Sequence, residues 1–547
     1  MRTQLPGMAE GARSSRVLSG GWTLLVLAVP LLVLSVSALD IVDDAYITAR
    51  YARNLASGWG LVFNRGEHVE GMTNLLWTLV LAGVAKLGLP LAESAVALGV
   101  ASGLAAMWVG GRIARLLGGS EWAALGAMLL LALNHHYWLI VGNGLEAGLF
   151  SLLVSCTVEA VLAHRRPAWI GVLAGLTFLT RPESALSAGL VALYLGTASH
   201  GRLVLPRGRA LRAMTEMALV FASVFALATL FRWSYFHAIV PNSVTAKSVP
   251  LHVSVLLPNL WKGVIYVVRF GRDTFPLALG ALVALVVAPR PARMLLALVL
   301  ATELPAVLVN GGDWVGHSRL LIVYAPLLVG LCALGIDWLY ARMARGTRAR
   351  ARVVLTMMAG YALFALARSR DLTGELRVRP HLPGILECYR GVGERLASVL
   401  RPGDVVATEA IGLIGYELPE IYVHDPMGLT DAYVARHGTY LPRIGRVDYA
   451  YTYQKMHPGV VLLHQDDMFM PALAAASGGR FASEYRAYYV DQGAPCSYYE
   501  KEDRDIHLVI AIRNDLAQRV EQALRGLSLR PFRASDKAAW QGSLSVR

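Results

Sequence analysis

The chain has 547 residues, of which 55% are hydrophobic and only 16% charged, and its mean hydropathy is +0.47. A soluble globular protein usually carries about 25% charged residues, so neither a single soluble domain nor a disordered chain fits. The net charge is +13, but much of the Lys and Arg lies in short loops between apolar runs, the pattern of membrane orientation and not of nucleic-acid binding.

In chain order, Arg2, Arg13 and Arg16 precede an apolar run from about Trp22 to Leu39. No small-residue cleavage site follows it, so it reads as a retained anchor. Further apolar runs lie near 72–89, 91–110, 121–139, 145–163, 168–180, 184–199, 211–231, 273–289, 293–310, 319–340 and 353–369. A span needs about 20 apolar residues, so this is a polytopic α-helical membrane protein with about 11–12 membrane helices. Arg-rich segments at 112–115, 165–166, 202–212, 290–293 and 342–352 alternate with loops at 39–71, 134–147, 180–184, 232–270 and 311–318. The first set reads as cytoplasmic and the second as external. Two runs lie between 71 and 112 where topology wants one crossing. One of them is therefore expected to be a tilted or interfacial helix.

From about residue 371 the composition becomes that of a soluble domain. Short apolar runs at 404–408, 421–424, 459–463 and 507–512 alternate with turns and helical stretches, which predicts a C-terminal α/β domain over 371–547, outside the membrane, after a membrane domain over 1–370. Cys156 and Cys332 fall in apolar runs. Cys388 and Cys496 fall in the C-terminal domain and are able to pair if it faces an oxidising compartment.

The candidate chemistry sits in the external loops. The first (39–71) opens with Asp43 and Asp44, followed by Tyr46, Arg50 and, further on, Glu70 and Asn74. Two adjacent carboxylates suit a general base with a partner that binds a hydroxyl or a divalent cation, magnesium or calcium. The competing account is helix capping by Asp43, with Asp44 favoured by the helix dipole. Other loops offer Glu146, then Arg181 and Glu183, then Asn242 and Lys247, then Asp313, Trp314, His317 and Arg319. Polar groups at membrane depth are costly and usually mark a site. The topology puts all of these at one face. Carboxylates suit sugar hydroxyls, and cations suit a phosphate. A lipid-linked phosphosugar satisfies both requirements. A transporter or flippase of a lipid-linked or anionic solute is the alternative, but it predicts repeats and mid-membrane charges.

The stretches 43–67 and 69–77 resemble GT-C superfamily glycosyltransferases, closest to the mycobacterial type of terminal β-(1→2)-arabinofuranosyltransferase and related pilin arabinofuranosyltransferases. Gly144-Leu145-Glu146, Thr180 to Glu183, Pro241-Asn242 with Lys247, Gly312-Asp313-Trp314 with Arg319, and Met427 to Asp431 follow in the family's order. The resemblance implies a GT-C membrane core with an external C-terminal domain in a bacterial cytoplasmic membrane. It implies transfer of a sugar, D-arabinofuranose by the nearest relatives, from a polyprenyl-phosphate donor to a glycan, pilin or lipid acceptor. The family's loop aspartate maps to Asp43/Asp44, with Asp44 favoured. Glu183 stands where an Asp is common, and the spacing from Asp313 to Arg319 is longer than expected.

Overall fold

A computed structural model of the chain describes residues 41–197, 207–250, 252–313, 318–343, 382–441, 445–463, 472–491, 497–500 and 504–532, with the single positions 356 and 360. The expected N-terminal anchor, the apolar run 353–369, the domain boundary near 370, and Trp314, His317 and Cys496 lie outside the described residues.

The first half is helical: α1 (Asp43–Ala56), α2 (Leu75–Lys86), α3 (Leu91–Leu116), α4 (Glu121–Ala132), α5 (His135–Val141), α6 (Ala147–Leu162), α7 (Pro167–Thr180), α8 (Ala185–Thr197), α9 (Arg207–Phe236), α10 (Asn242–Lys247), α11 (Val253–Asp273), α12 (Phe275–Val287), α13 (Arg290–Ala301), α14 (Glu303–Asn310), α15 (Arg319–Ile322) and α16 (Ala325–Met343). Four described stretches, Leu91–Leu116, Gly208–Phe236, Val253–Asp273 and Ala292–Asn310, are long and apolar enough to cross a membrane, and α4 with α5 forms a fifth candidate, bent by 67°.

Small residues bring these helices into backbone contact. A Cβ on Gly99 would strike the carbonyl of Val141, and one on Gly148 would strike Gly99. Deeper in the bundle, Gly110 abuts Pro326, and a Cβ on Gly330 would lie 3.1 Å from the Gly110 carbonyl. Without a hydrophobic drive between helices in lipid, close packing of this kind supplies the association. These contacts also give direction. α3 and α16 run parallel, from the level of Glu146 to the face where Ser120 bonds Asp337 and Arg112 pairs with Glu159. The other helix before Arg112, α2, has 12 residues, or about 18 Å, too short to span. It packs Trp77, Leu81 and Ala82 on Ala49 and Ala52 of α1 and on Leu91 and Ala95, at the start of α3. It therefore stays at the face that carries the first loop.

The C-terminal domain opens with α17 (Leu382–Val399), followed by β1 (Val405–Thr408), α18 (Ile411–Glu417), β2 (Tyr422–His424), α19 (Ala432–His437), the hairpin β3 (Thr439–Leu441) and β4 (Gly445–Val447), β5 (Val460–Leu463), β6 (Tyr485–Asp491), β7 (Ser497–Glu500), β8 (Arg504–His507), β9 (Val509–Arg513), α20 (Asn514–Ala523) and β10 (Ser528–Pro531). The main sheet has the order β10-β6-β9-β5-β1-β2. β1 is parallel to β2 and to β5, and the remaining pairs are antiparallel. The apolar runs at 404–408, 421–424, 459–463 and 507–512 are β1, β2, β5 and β9, the buried centre and one flank of the sheet. Cys388 is disulfide-bonded, while Cys156 and Cys332 keep their thiols.

Candidate active site

α1 starts after Val42, and no side chain caps it. Asp43 instead turns to the other domain: its carboxylate accepts the backbone N–H groups of Gly412 (2.9 Å) and Leu413 (2.8 Å), at the N-terminus of α18. Helix N-termini carry unpaired N–H groups and partial positive charge, so a carboxylate is well held there. The βα turn after β1 is where an open α/β sheet commonly receives an anionic ligand. Here a carboxylate of the membrane domain fills that place. The approach is close enough that a Cβ on Gly412 would collide with the Asp43 carbonyl.

Arg50 and Tyr46, both expected at the site, belong to the same seam. Arg50 is enclosed, and it donates to the carbonyls of Phe63 (2.7 Å), Gly415 (2.5 Å) and Ile421 (3.1 Å) and to Asn64 Oδ1 (3.2 Å). The Tyr46 hydroxyl accepts from Arg390 (2.8 Å). Arg53 donates to the Tyr416 carbonyl, Asn64 pairs with the backbone of Val423, and Arg65 forms an ion pair with Glu420. Glu67 accepts from the Tyr422 hydroxyl (2.9 Å), and burial raises its carboxyl above the usual range. The first loop and the C-terminal domain are thus bolted together along α1 and α18.

Asp44, one residue on, points the other way. Its side chain is 22% exposed, and an Oδ lies 3.9 Å from Arg319 Nη1. Arg319 is oriented by Asp313, whose Oδ2 accepts from Nε at 2.6 Å. Ser318, before it, is in the left-handed region at φ 52°. A second charged unit lies beside this one. Glu146 accepts from Arg181 Nε (2.9 Å) and from Asn74 Nδ2 (3.0 Å), and Asn74 also exchanges hydrogen bonds with Thr48 of α1. Arg181 Nη1 is buried without a hydrogen-bond partner. Its field reaches Glu183, which is exposed, and Glu303, which is buried and accepts from the Tyr324 hydroxyl at 3.0 Å. The structure therefore brings together Asp44, Asn74, Glu146, Arg181, Glu183, Asp313 and Arg319, from loops up to 275 residues apart in sequence.

Four expected site residues are placed elsewhere. Glu70 forms a buried ion pair with Arg232 (2.9 Å). Asn242 donates to the carbonyls of Gly428, Leu429 and Asp431, holding the 428–431 turn. Asp431 caps α19 by accepting from Tyr433 and Val434. Lys247 is exposed on α10 and forms no ion pair with a described residue. Among the described residues no group of three or more His, Cys, Asp or Glu side chains is arranged to hold a metal ion. With Asp43 committed to α18, the aspartate pair does not fit the divalent cation expected for it.

Residues of this cluster that the sequence did not single out are Glu303 and Tyr324. Glu303 carried a readable signal, an acid inside an apolar run.

Comparison with solved structures places this arrangement in a known architecture. The chain superposes on the crystal structure of ArnT from Cupriavidus metallidurans in the apo state with a TM-score of 0.52 and 16% identity, over 90% of this chain and 98% of that one. The same protein bound to undecaprenyl phosphate gives 0.50 and 15%, over the same shares of the two chains. The fold is of the GT-C type. By sequence, the chain is 30% identical over 253 residues to a terminal β-(1→2)-arabinofuranosyltransferase of Mycobacterium tuberculosis, covering 42% of this chain and 38% of that one. It is 28% identical over 237 residues to the protein of the same name from Corynebacterium glutamicum, covering 38% and 33%. The matches therefore span well under half the length of these relatives. Residues 384–507 match a domain of unknown function, DUF8728.

Proposed function

We propose that the protein is a membrane glycosyltransferase that moves a sugar from a polyprenyl-phosphate donor to an acceptor on the extracytoplasmic side of a bacterial cytoplasmic membrane. The observation that carries this is the Asp44–Arg319–Asp313 arrangement: an accessible carboxylate facing an oriented guanidinium. The ArnT structure that this fold resembles was solved with undecaprenyl phosphate, and the arabinofuranosyltransferases that share part of its sequence point to D-arabinofuranose as the sugar. A disulfide at Cys388 supports an oxidising surrounding for the C-terminal domain, as do the basic loops on the opposite face.

In this reading the donor lies with its tail in the bilayer and its phosphate against Arg319 and the unpaired Nη1 of Arg181, with Lys247 at the entrance. Asp44 accepts the proton of the acceptor hydroxyl. The freed oxygen bonds to the anomeric carbon, the bond from that carbon to the phosphate oxygen breaks, and the polyprenyl phosphate leaves with the electron pair. The two arginines stabilise its growing charge in a partly dry site. Glu146, Asn74 and Asp313 hold the arginines in register, which supplies part of the rate. Glu183, which is exposed, accepts hydrogen bonds from sugar hydroxyls in this reading. The acceptor is a glycan, a pilin or a lipid.

Asp44→Asn tests this in membranes given a radiolabelled polyprenyl-phosphate pentose. A general base contributes on the order of 10²–10⁴-fold, so transfer is expected to fall at least about 100-fold while the protein remains folded. A wild-type rate in Asp44→Asn would overturn the assignment.

A further inference from the structure

By length and hydropathy α11 qualifies as a membrane span. Its connections deny it that role. It follows α10, and an added Cβ on Gly445 of the C-terminal domain would reach the Ala246 carbonyl and Lys247 at that helix's end. The first turn of α11 therefore lies on the face that carries the site. Its last residue, Asp273, is joined through Thr274 alone to α12. α12 runs parallel to α16. A Cβ on Gly280 would meet Cys332, while one on Gly335 would fall between the Gly280 carbonyl and Ala284 N, further along both helices. The chain leaves the site at Arg319 in α15, and α16 descends to the opposite face at Asp337. α12 descends with it, so Thr274, at its start, lies about 20 Å above the far end of α12, and α11 does not reach the opposite face.

The surface of α11 agrees. Val253, Leu257, Trp261, Val264 and Val268 are all strongly exposed, and at 100° per residue they occupy an arc of about 80°. Arg272 and Arg269 come next around the wheel, and both are exposed. The remaining face meets protein. Gly263 is pressed against Leu308, Asn259 donates to the Tyr440 hydroxyl of the C-terminal domain, and the Tyr266 ring covers Gly312 while its hydroxyl accepts from Leu320 N. A narrow apolar stripe with a Trp, with arginines along one flank, fits a helix lying in a membrane surface. The helix is about 31 Å long.

We infer that α11 is an interfacial helix seated in the phospholipid leaflet on the site's side, with its stripe among the acyl chains and Arg269 and Arg272 at lipid phosphates. Through Tyr266 it holds the segment bearing Asp313 and Arg319 at the height of the headgroups. This inference does not depend on the proposed chemistry.

The test uses full-length protein with Cys156 and Cys332 replaced by serine and single cysteines at Ser248, Arg272 and Arg165, all exposed positions. Spheroplasts and inverted vesicles are treated with a membrane-impermeant maleimide. Ser248→Cys and Arg272→Cys are expected to react in the same preparation, and Arg165→Cys in the other. Arg272→Cys reacting together with Arg165→Cys would mean that α11 crosses, and would overturn the inference. Nitroxides at Leu257 and Val264 give a second readout. They are expected to be relaxed by dissolved oxygen far more than by a water-soluble nickel chelate. Equal access of the chelate at Leu257, Val264 and Arg269 would also overturn it.

Discussion

Replacing Asp43 by alanine removes the one carboxylate that binds the N-terminus of α18. The two hydrogen bonds, at 2.8 and 2.9 Å, have an ionised acceptor, and such bonds contribute roughly 1.5–3 kcal/mol each before water replaces them. Partial replacement by water leaves a loss of about 2–4 kcal/mol at the seam. Arg50, Arg53 and Asn64 still hold the domain, so the protein should fold but open locally. At about 1.4 kcal/mol per tenfold, amide exchange at Gly412 and Leu413 should accelerate by about 30- to 700-fold, with little change in β5 or β9. Transfer activity should fall through kcat more than through KM, because Asp44 loses its register. Gly412→Ala should reproduce both effects by pushing α18 away from the Asp43 carbonyl. The double variant should be much less than additive, since both act on one contact. Unchanged exchange at Leu413 in Asp43→Ala, or full additivity with Gly412→Ala, would refute the reasoning.

Glu70→Ala leaves Arg232 buried without its partner and should destabilise by about 3–5 kcal/mol, read as lost thermal stability in detergent, with Glu70→Gln milder. Glu67 is raised by burial, so the folded protein favours its protonated form. Its contribution is fully present below the ordinary glutamate value and is lost as pH rises through the raised one. Glu67→Gln should flatten that dependence in a melting series from acid to neutral pH. Gly99→Ala forces a Cβ into the Val141 carbonyl and should lower the yield of folded protein from membranes, while Gly189→Ala, with open space around it, should not.

The separate fates of Asp43 and Asp44 show where sequence reading stops. Capping by Asp43 was legible as a chemical role, but the helix it caps begins 368 residues later, and no local pattern states that. The strands of the central sheet were legible because buried strands read as short apolar runs. α11 was hidden in a loop reading because its apolar residues are spread over an arc, not a run. The convergence of Glu146, Arg181, Asp313 and Arg319 on one face followed from topology, whereas their pairing did not. The Glu146–Arg181 pair is tied to α1 through Asn74 and Thr48, a contact made only in the folded chain.

The central claim is chemical transfer from a lipid phosphosugar at Asp44. Purified protein in nanodiscs, incubated with a panel of polyprenyl-phosphate sugars and an extracted cell-envelope acceptor, would be analysed by mass spectrometry of the acceptor. The account predicts addition of one sugar, a pentose, from a polyprenyl-phosphate donor by the wild type and its loss in Asp44→Asn. No transfer from any member of the panel, or equal transfer by Asp44→Asn, would contradict it.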